Sequence, residues 1–403
     1  MPSPPNAPWV SHGLIDASVT VTGYRESSLD APDLAQRALA ELWAEFGVVG
    51  VRDVGSSVTA NLRQRELSRG SSEQTPGPSS RPGPEPHGTH VHHTGLVLVE
   101  GTPLGDGDVV LSDTALDAAL GIATAFDPDA PTLMFKTESA ACLAYWAGQA
   151  RKRHPNARIS ARGAAAVDVA VSAGLHVVDS FPWLAVARLG ASGPSTSAHT
   201  LTPVEVLQAW ARADERAIAA RVASLAEHNV ALTSEFLALR RSVFIKEALT
   251  AAHLDRIEAI LPHVRHVADM RRAGGYLSGR RSLSKFAGIE QPKSQQLAEA
   301  EVGWQKMLAA AAHAVDAGLR LLPASRSPLL TSCPGYSLLE ELAVLVHAGI
   351  PAETVFDLAG SEAAEVLSLP LSTAPVLTAD SAPTDPSQIL RLRATDSRIT
   401  AGL

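Results

Sequence analysis

A chain of 403 residues, 45% hydrophobic and 19% charged, has the balance of a folded protein and not of a disordered one. A net charge of −8 and an aromatic content of 4% argue against a nucleic-acid surface, which needs basic stripes and stacking rings. Two cysteines, Cys142 and Cys333, without C-x-x-C spacing, are too few for a disulfide framework and fit a reducing cytoplasm. Met1 to Pro8 lack the basic and apolar segments of a secretion signal, and no apolar run approaches the ~20 residues of a membrane span. The expectation is a cytoplasmic protein with neither nucleic acid nor membrane as partner.

Short apolar runs alternate with helical patterns along the chain, the mark of βα units on a parallel sheet. Strands are predicted at 13–20, 47–54, 90–99, 131–137, 156–162, 175–181, 229–233 and 318–323. Helices are predicted at 31–46, 56–68, 113–126, 138–153, 163–173, 203–227, 235–272, 294–317 and 336–349, with a short one near 352–367. Eight strands are what a (β/α)8 barrel needs to close, and such a barrel fills this length as one domain. The Ser-, Pro- and Gly-rich segment 69–88 is predicted as a flexible loop insertion, and 271–293 as an excursion beside the barrel. The domain plan is a barrel over 9–369 and a C-terminal extension over 370–403.

Four segments carry a resemblance. They are Gly13-Leu14-Ile15-Asp16-Ala17-Ser18-Val19-Thr20, Gly47-Val48-Val49-Gly50-Val51-Arg52-Asp53-Val54-Gly55, Ala173-Gly174-Leu175-His176-Val177-Val178-Asp179-Ser180 and the run Tyr336 to Pro351. In order and spacing they resemble the amidohydrolase superfamily, and its imidazolonepropionase-like branch best. The resemblance implies a TIM-type barrel of the metal-dependent hydrolase kind that cleaves C–N bonds, amide or cyclic amide. It also implies a small β-sandwich built from both ends of the chain. Only residues 1–12 precede the first strand, so the N-terminal half of that sandwich is expected to be missing and the whole vestigial or absent; Pro375 to Asp380 resembles its returning strand.

The family holds one or two divalent ions with His-x-His on strand one, Lys or Glu on strand four, His on strands five and six, and Asp on strand eight. The ions acidify a bound water and polarise the scissile carbonyl. Carried onto this sequence, those positions fall on Ser18 and Thr20, Lys136, Arg162, Ser180, and Arg326 or a neighbour. Hydroxyls and guanidinium groups are not ligands for such ions. The resemblance therefore implies a degenerate metal site with only Lys136 kept. Two readings of the replacements stay open. In one, Ser18, Thr20, Lys136, Arg162, Ser180 and Arg326, with Thr233, line a pocket for a small anion. In the other, Arg162 and Arg326 pair with Asp53, Glu138 or Asp179 and fill an abandoned site.

Other candidates are fewer. His90 and His92 share a strand face and can chelate a relocated zinc or other divalent ion; the bland alternative is a solvated cluster of His87, His90, His92 and His93 at a loop end. Lys136, Asp179 and Cys333 are the candidate catalytic residues, although the sequence supplies no base for Cys333. Arg52 and Asp53 are read as an ion pair, and Cys142 as core. The functional expectation is a pseudoenzyme or repurposed metal-free protein without a cofactor, binding a small anionic molecule or a paralogous subunit, with homo-oligomerisation left open. The alternative is an active hydrolase using a relocated metal or metal-free chemistry.

Overall fold

The structure, a computed structural model, describes residues 9–19, 42–55, 90–93, 96–100, 108–186, 201–244, 247, 255, 292–327, 332–371 and 376–394. Thr20, His87, the 69–88 segment and nearly all of 271–293 lie outside them. So do the side chains of His90, His92 and His93.

Twelve strands are described: β1 (Trp9–Ser11), β2 (Leu14–Val19), β3 (Val48–Asp53), β4 (His90–His93), β5 (Val97–Val99), β6 (Asp108–Val110), β7 (Thr132–Lys136), β8 (Arg158–Arg162), β9 (Val177–Asp179), β10 (Ala231–Thr233), β11 (Leu321–Leu322) and β12 (Leu377–Ala379). Seven run in the spatial order β11-β10-β9-β8-β7-β5-β6 and three in the order β2-β3-β4, all pairs within these two sheets being parallel. Backbone hydrogen bonds from Ala17 N to Pro323 O (3.0 Å) and from Arg326 N to Ser18 O (2.9 Å) tie the chain after β11 to β2. With helices on every connection from β6 to β11, this is an α/β fold of the (β/α)8 barrel type.

The helices form where the sequence supplies starts. Ser112, Ser139 and Thr202 each accept a backbone N–H at the head of the helices Asp113–Phe126, Ala140–Arg153 and Pro203–Arg212. The predicted helix over 203–227 is two, Pro203–Arg212 and Glu215–Glu227, because Asp214 turns its carboxylate onto Arg216 N (2.9 Å) and starts a second one. Both helices pack against the turn Phe181–Ala185 that follows β9, where Phe181 stacks on Trp210 with ring centroids 5.6 Å apart. Inside, Ile15, Ala17, Val177, Ala231, Leu322 and Ala324 meet Ala363 and Leu367 of the helix Ala363–Leu367, which lies at the amino ends of the strands.

Two further expectations are corrected. The strand predicted over 90–99 is two strands, β4 against β3 and β5 against β7, and β6 pairs with β5 where no strand was predicted. Three residues are too few to show a period. Ahead of the barrel strands, β1 pairs antiparallel with β12, Val10 facing Thr378. Among the described residues these two strands form a separate two-stranded sheet. No helix of the described residues is long and apolar enough to cross a membrane.

Candidate functional site

Parallel register lines up the carboxyl ends of the strands. Lys136 faces Arg162 across β7 and β8, and Arg162 faces Asp179 across β8 and β9. Thr233 of β10 adds its hydroxyl to the same layer by donating to Asp179 Oδ1 (3.2 Å). In this fold chemistry is done at these ends.

At the centre stands a residue that no sequence motif marks, Glu235, two positions beyond β10. Its Oε1 accepts from Ser18 Oγ (3.0 Å) and its Oε2 from Arg162 (2.6 Å). Arg326 NH1 lies 3.5 Å from the same Oε2 and has no hydrogen-bond partner. Three of the positions that the resemblance equates with ligands thus converge on one carboxylate. The expected partners Asp53, Glu138 and Asp179 are corrected accordingly: the carboxylate that Arg162 and Arg326 meet is Glu235. Burial pushes the Glu235 carboxyl above the usual range, and Arg162 opposes that shift.

Local backbone makes the convergence feasible. Glu235 has φ 53° and Arg326 φ 55°, both left-handed, a conformation that costs a non-glycine residue about 1 kcal/mol. In this conformation Glu235 precedes the helix Phe236–Val243 without capping it. The cap comes from Glu341 of the helix Tyr336–His347, which accepts from Phe236 N and Leu237 N (both 2.8 Å) and from Ser234 Oγ. Glu235 is left free to point into the cradle. The signal for it was an acidic residue just past a predicted strand end.

A second ion pair crosses the barrel. Arg52, fully buried, donates from NH1 to Asp179 Oδ1 and to Ala17 O (both 2.9 Å), and from NH2 to Asp179 Oδ2 (3.3 Å). The expected Arg52 pairing with Asp53 is therefore corrected. Neighbours on a strand point to opposite faces, so Arg52 finds its carboxylate on a strand across the barrel. Asp179, a candidate catalytic residue, is here held on both oxygens.

The remaining candidates lie apart from this cradle. Lys136, 40% exposed, pairs with Asp108 at 3.4 Å and makes no bond to Glu235. Ser180 is buried at the end of β9, where its carbonyl accepts from Trp183 N (3.1 Å). Cys333 is buried among core residues, and burial raises its thiol far above the ordinary range, so it is no ready thiolate nucleophile. Cys142 is half-buried and free.

Asp16, on β2, is a further buried carboxyl. Its Oδ1 accepts from Ser325 N (2.9 Å), and its Oδ2 bonds Ser325 Oγ, which is 2.7 Å from Ser327 Oγ. Burial pushes its pKa up from 3.8 to about 7. A carboxyl raised in the folded state contributes stability present below pH 3.8 and lost as pH climbs through about 7. Asp16→Asn, which keeps a carbonyl oxygen for the Ser325 N–H but cannot ionise, is expected to match the wild type near pH 4 and to exceed it at pH 8. The gain at pH 8 is of the order of 2–4 kcal/mol, read from urea unfolding at both pH values. Equal stabilities at pH 8 would show Asp16 to be ionised without cost.

The metal chemistry implied by the resemblance does not fit these residues. Guanidinium groups cannot ligate, and the carboxylates beside them, Glu235 and Asp179, already hold Arg162 and Arg52. Among the described residues no group of three or more His, Cys, Asp or Glu is placed to hold an ion.

No known sequence family and no curated protein matches the chain. Solved structures do. A bottromycin amidohydrolase superposes with a TM-score of 0.58 at 15% identity, covering 96% of this chain and 75% of that one. A Xaa-Pro dipeptidase with bound methionine superposes at 0.54 and 12% identity, covering 94% and 83%. A prolidase complexed with N-methylphosphonate-L-proline gives 0.52 and 13%, covering 95% and 83%. At such identities the likeness speaks to architecture, and by that measure the chain has the fold of the amidohydrolase-type barrels.

Proposed function

We propose that this chain is a metal-free derivative of the amidohydrolase-type barrel, a pseudoenzyme or repurposed protein that binds a small anionic molecule at the mouth. The observation that carries the reading is the convergence of Ser18, Arg162 and Arg326 on Glu235. A divalent ion supplies fixed positive charge at such a mouth; here two guanidinium groups supply it, and the group they hold is a carboxylate. Within the cradle two guanidinium groups meet one carboxylate, an arrangement that suits an anion better than a cation.

Metal analysis of the purified chain is expected to find zinc, manganese and iron well below one ion per chain. Stoichiometric metal that disappears in a His90→Ala, His92→Ala variant would overturn the reading in favour of a hydrolase with a relocated site. Screening small carboxylates and phosphates by thermal unfolding is expected to find a stabilising anion, and Arg162→Ala is expected to abolish that stabilisation, since linkage requires preferential binding to the folded state. Co-purification of a paralogous subunit with no response to any anion would favour a scaffold role instead.

A further inference from the structure

We infer that the Ser18–Arg162–Arg326 cradle is a site for a small aliphatic monocarboxylate, held shut by Glu235 as its resident occupant, so that a ligand enters by displacing that side chain. This rests on the anion-binding reading and adds how the site is regulated. The resident group is chemically a carboxylate on a two-carbon stem. It receives a hydroxyl on one oxygen and a guanidinium on the other, which is how such groups bind a free carboxylate.

The fit is incomplete in a telling way. Arg326 NH1, a buried atom, stops 3.5 Å from Oε2, within ion-pair reach but with no hydrogen-bond partner. A free carboxylate has no tether and can take both. Two of the four non-glycine residues with left-handed φ among the described residues are Glu235 and Arg326, so backbone strain is concentrated on the two ends of this long contact. The side chains of Arg162 and Arg326 are 19% and 23% exposed, while Glu235 and Arg326 NH1 are buried, so the ligand reaches the cradle only as the Glu235 side chain moves out.

Exchange leaves the charge inside the cradle unchanged, while the displaced Glu235 carboxylate stays on the chain and must turn towards water. Affinity in the wild type is therefore the intrinsic affinity of the cradle reduced by the fraction of molecules in which Glu235 is out. Removing Glu235 removes that reduction.

Glu235→Gly deletes a group equivalent to propionate, and glycine accepts the left-handed backbone without strain. The full-length variant and the wild type are titrated with propionate against matched sodium chloride, by calorimetry and by thermal unfolding. Propionate is expected to bind Glu235→Gly about tenfold or more tightly than the wild type and to raise its unfolding midpoint, while chloride does neither. Adding Arg326→Ala is expected to abolish both effects. Glu235→Gln, which keeps the volume but loses the charge, is expected to bind propionate more tightly than the wild type and serves if the glycine variant does not fold. Equal affinity in wild type and variants would overturn the displacement and leave anion binding standing. No binding by any of them, or the same stabilisation by chloride, would overturn both.

Discussion

Asp179→Asn is expected to destabilise the folded chain by about 3–5 kcal/mol, seen as a lower urea midpoint with an unchanged slope. The magnitude comes from what is left behind. Arg52 lies wholly inside the barrel, reaching Ala17 of β2 and Asp179 of β9, with Met134 Sδ of β7 3.8 Å from NH2. Its charge cannot reach water when the carboxylate is gone, and its Nε already lacks a partner. Arg52→Ala should cost a similar amount, since it leaves Asp179 with Thr233 as its side-chain hydrogen bond among the described residues and opens a cavity beside Met134. The double variant Arg52→Met, Asp179→Val is the discriminating one. Buried pairs replaced together by apolar groups are often close to neutral, so it is expected to lose less than either single variant. A loss in the double variant equal to the sum of the singles would mean that the two residues act independently, contrary to the geometry.

The same pair shows how far the sequence could be read. The segment containing Arg52 and Asp53 was recognisable as a strand, and its position in the barrel followed from the order of motifs. The partner did not follow, because Arg52 and Asp179 are separated by 127 positions and meet only once the barrel is closed. Ser18, Arg162 and Arg326 were legible one by one, at positions that the resemblance equates with metal ligands. Their common partner was not, since Glu235 is 217 positions from Ser18 and sits in a turn whose left-handed backbone no periodicity announces. Glu341 was lost inside an amphipathic helix, where a glutamate reads as solvated; its role as a cap for another helix belongs to packing alone. Elements of regular period were readable, and contacts between ends of distant strands were not.

Helix packing supplies the other large effect. Gly303, in the helix Ser294–Asp316, faces the helix Pro203–Arg212 so closely that a Cβ there would overlap Leu207 O, with Leu207 C at 2.8 Å and Ala211 N at 3.0 Å. These are backbone atoms of a second helix, which cannot turn aside as a side chain would. The crossing is fixed further by Lys306 Nζ on Ala211 O (3.0 Å) and by Gln208 and Arg212 on Glu299 (both 2.7 Å). Gly303→Ala is therefore expected to lose about 2–3 kcal/mol or more, overpacking outweighing a helix-propensity gain of about 1 kcal/mol. Gly121 and Gly148 separate the two terms. Both lie inside helices where an added methyl group would meet nothing within 4 Å, so Gly121→Ala and Gly148→Ala keep the propensity gain without a clash. Each should raise stability by about 0.5–1 kcal/mol in the same urea assay. If all three alanines shifted the midpoint alike, the close approach at Gly303 would be wrong, and with it the placement of the long helix against the barrel wall.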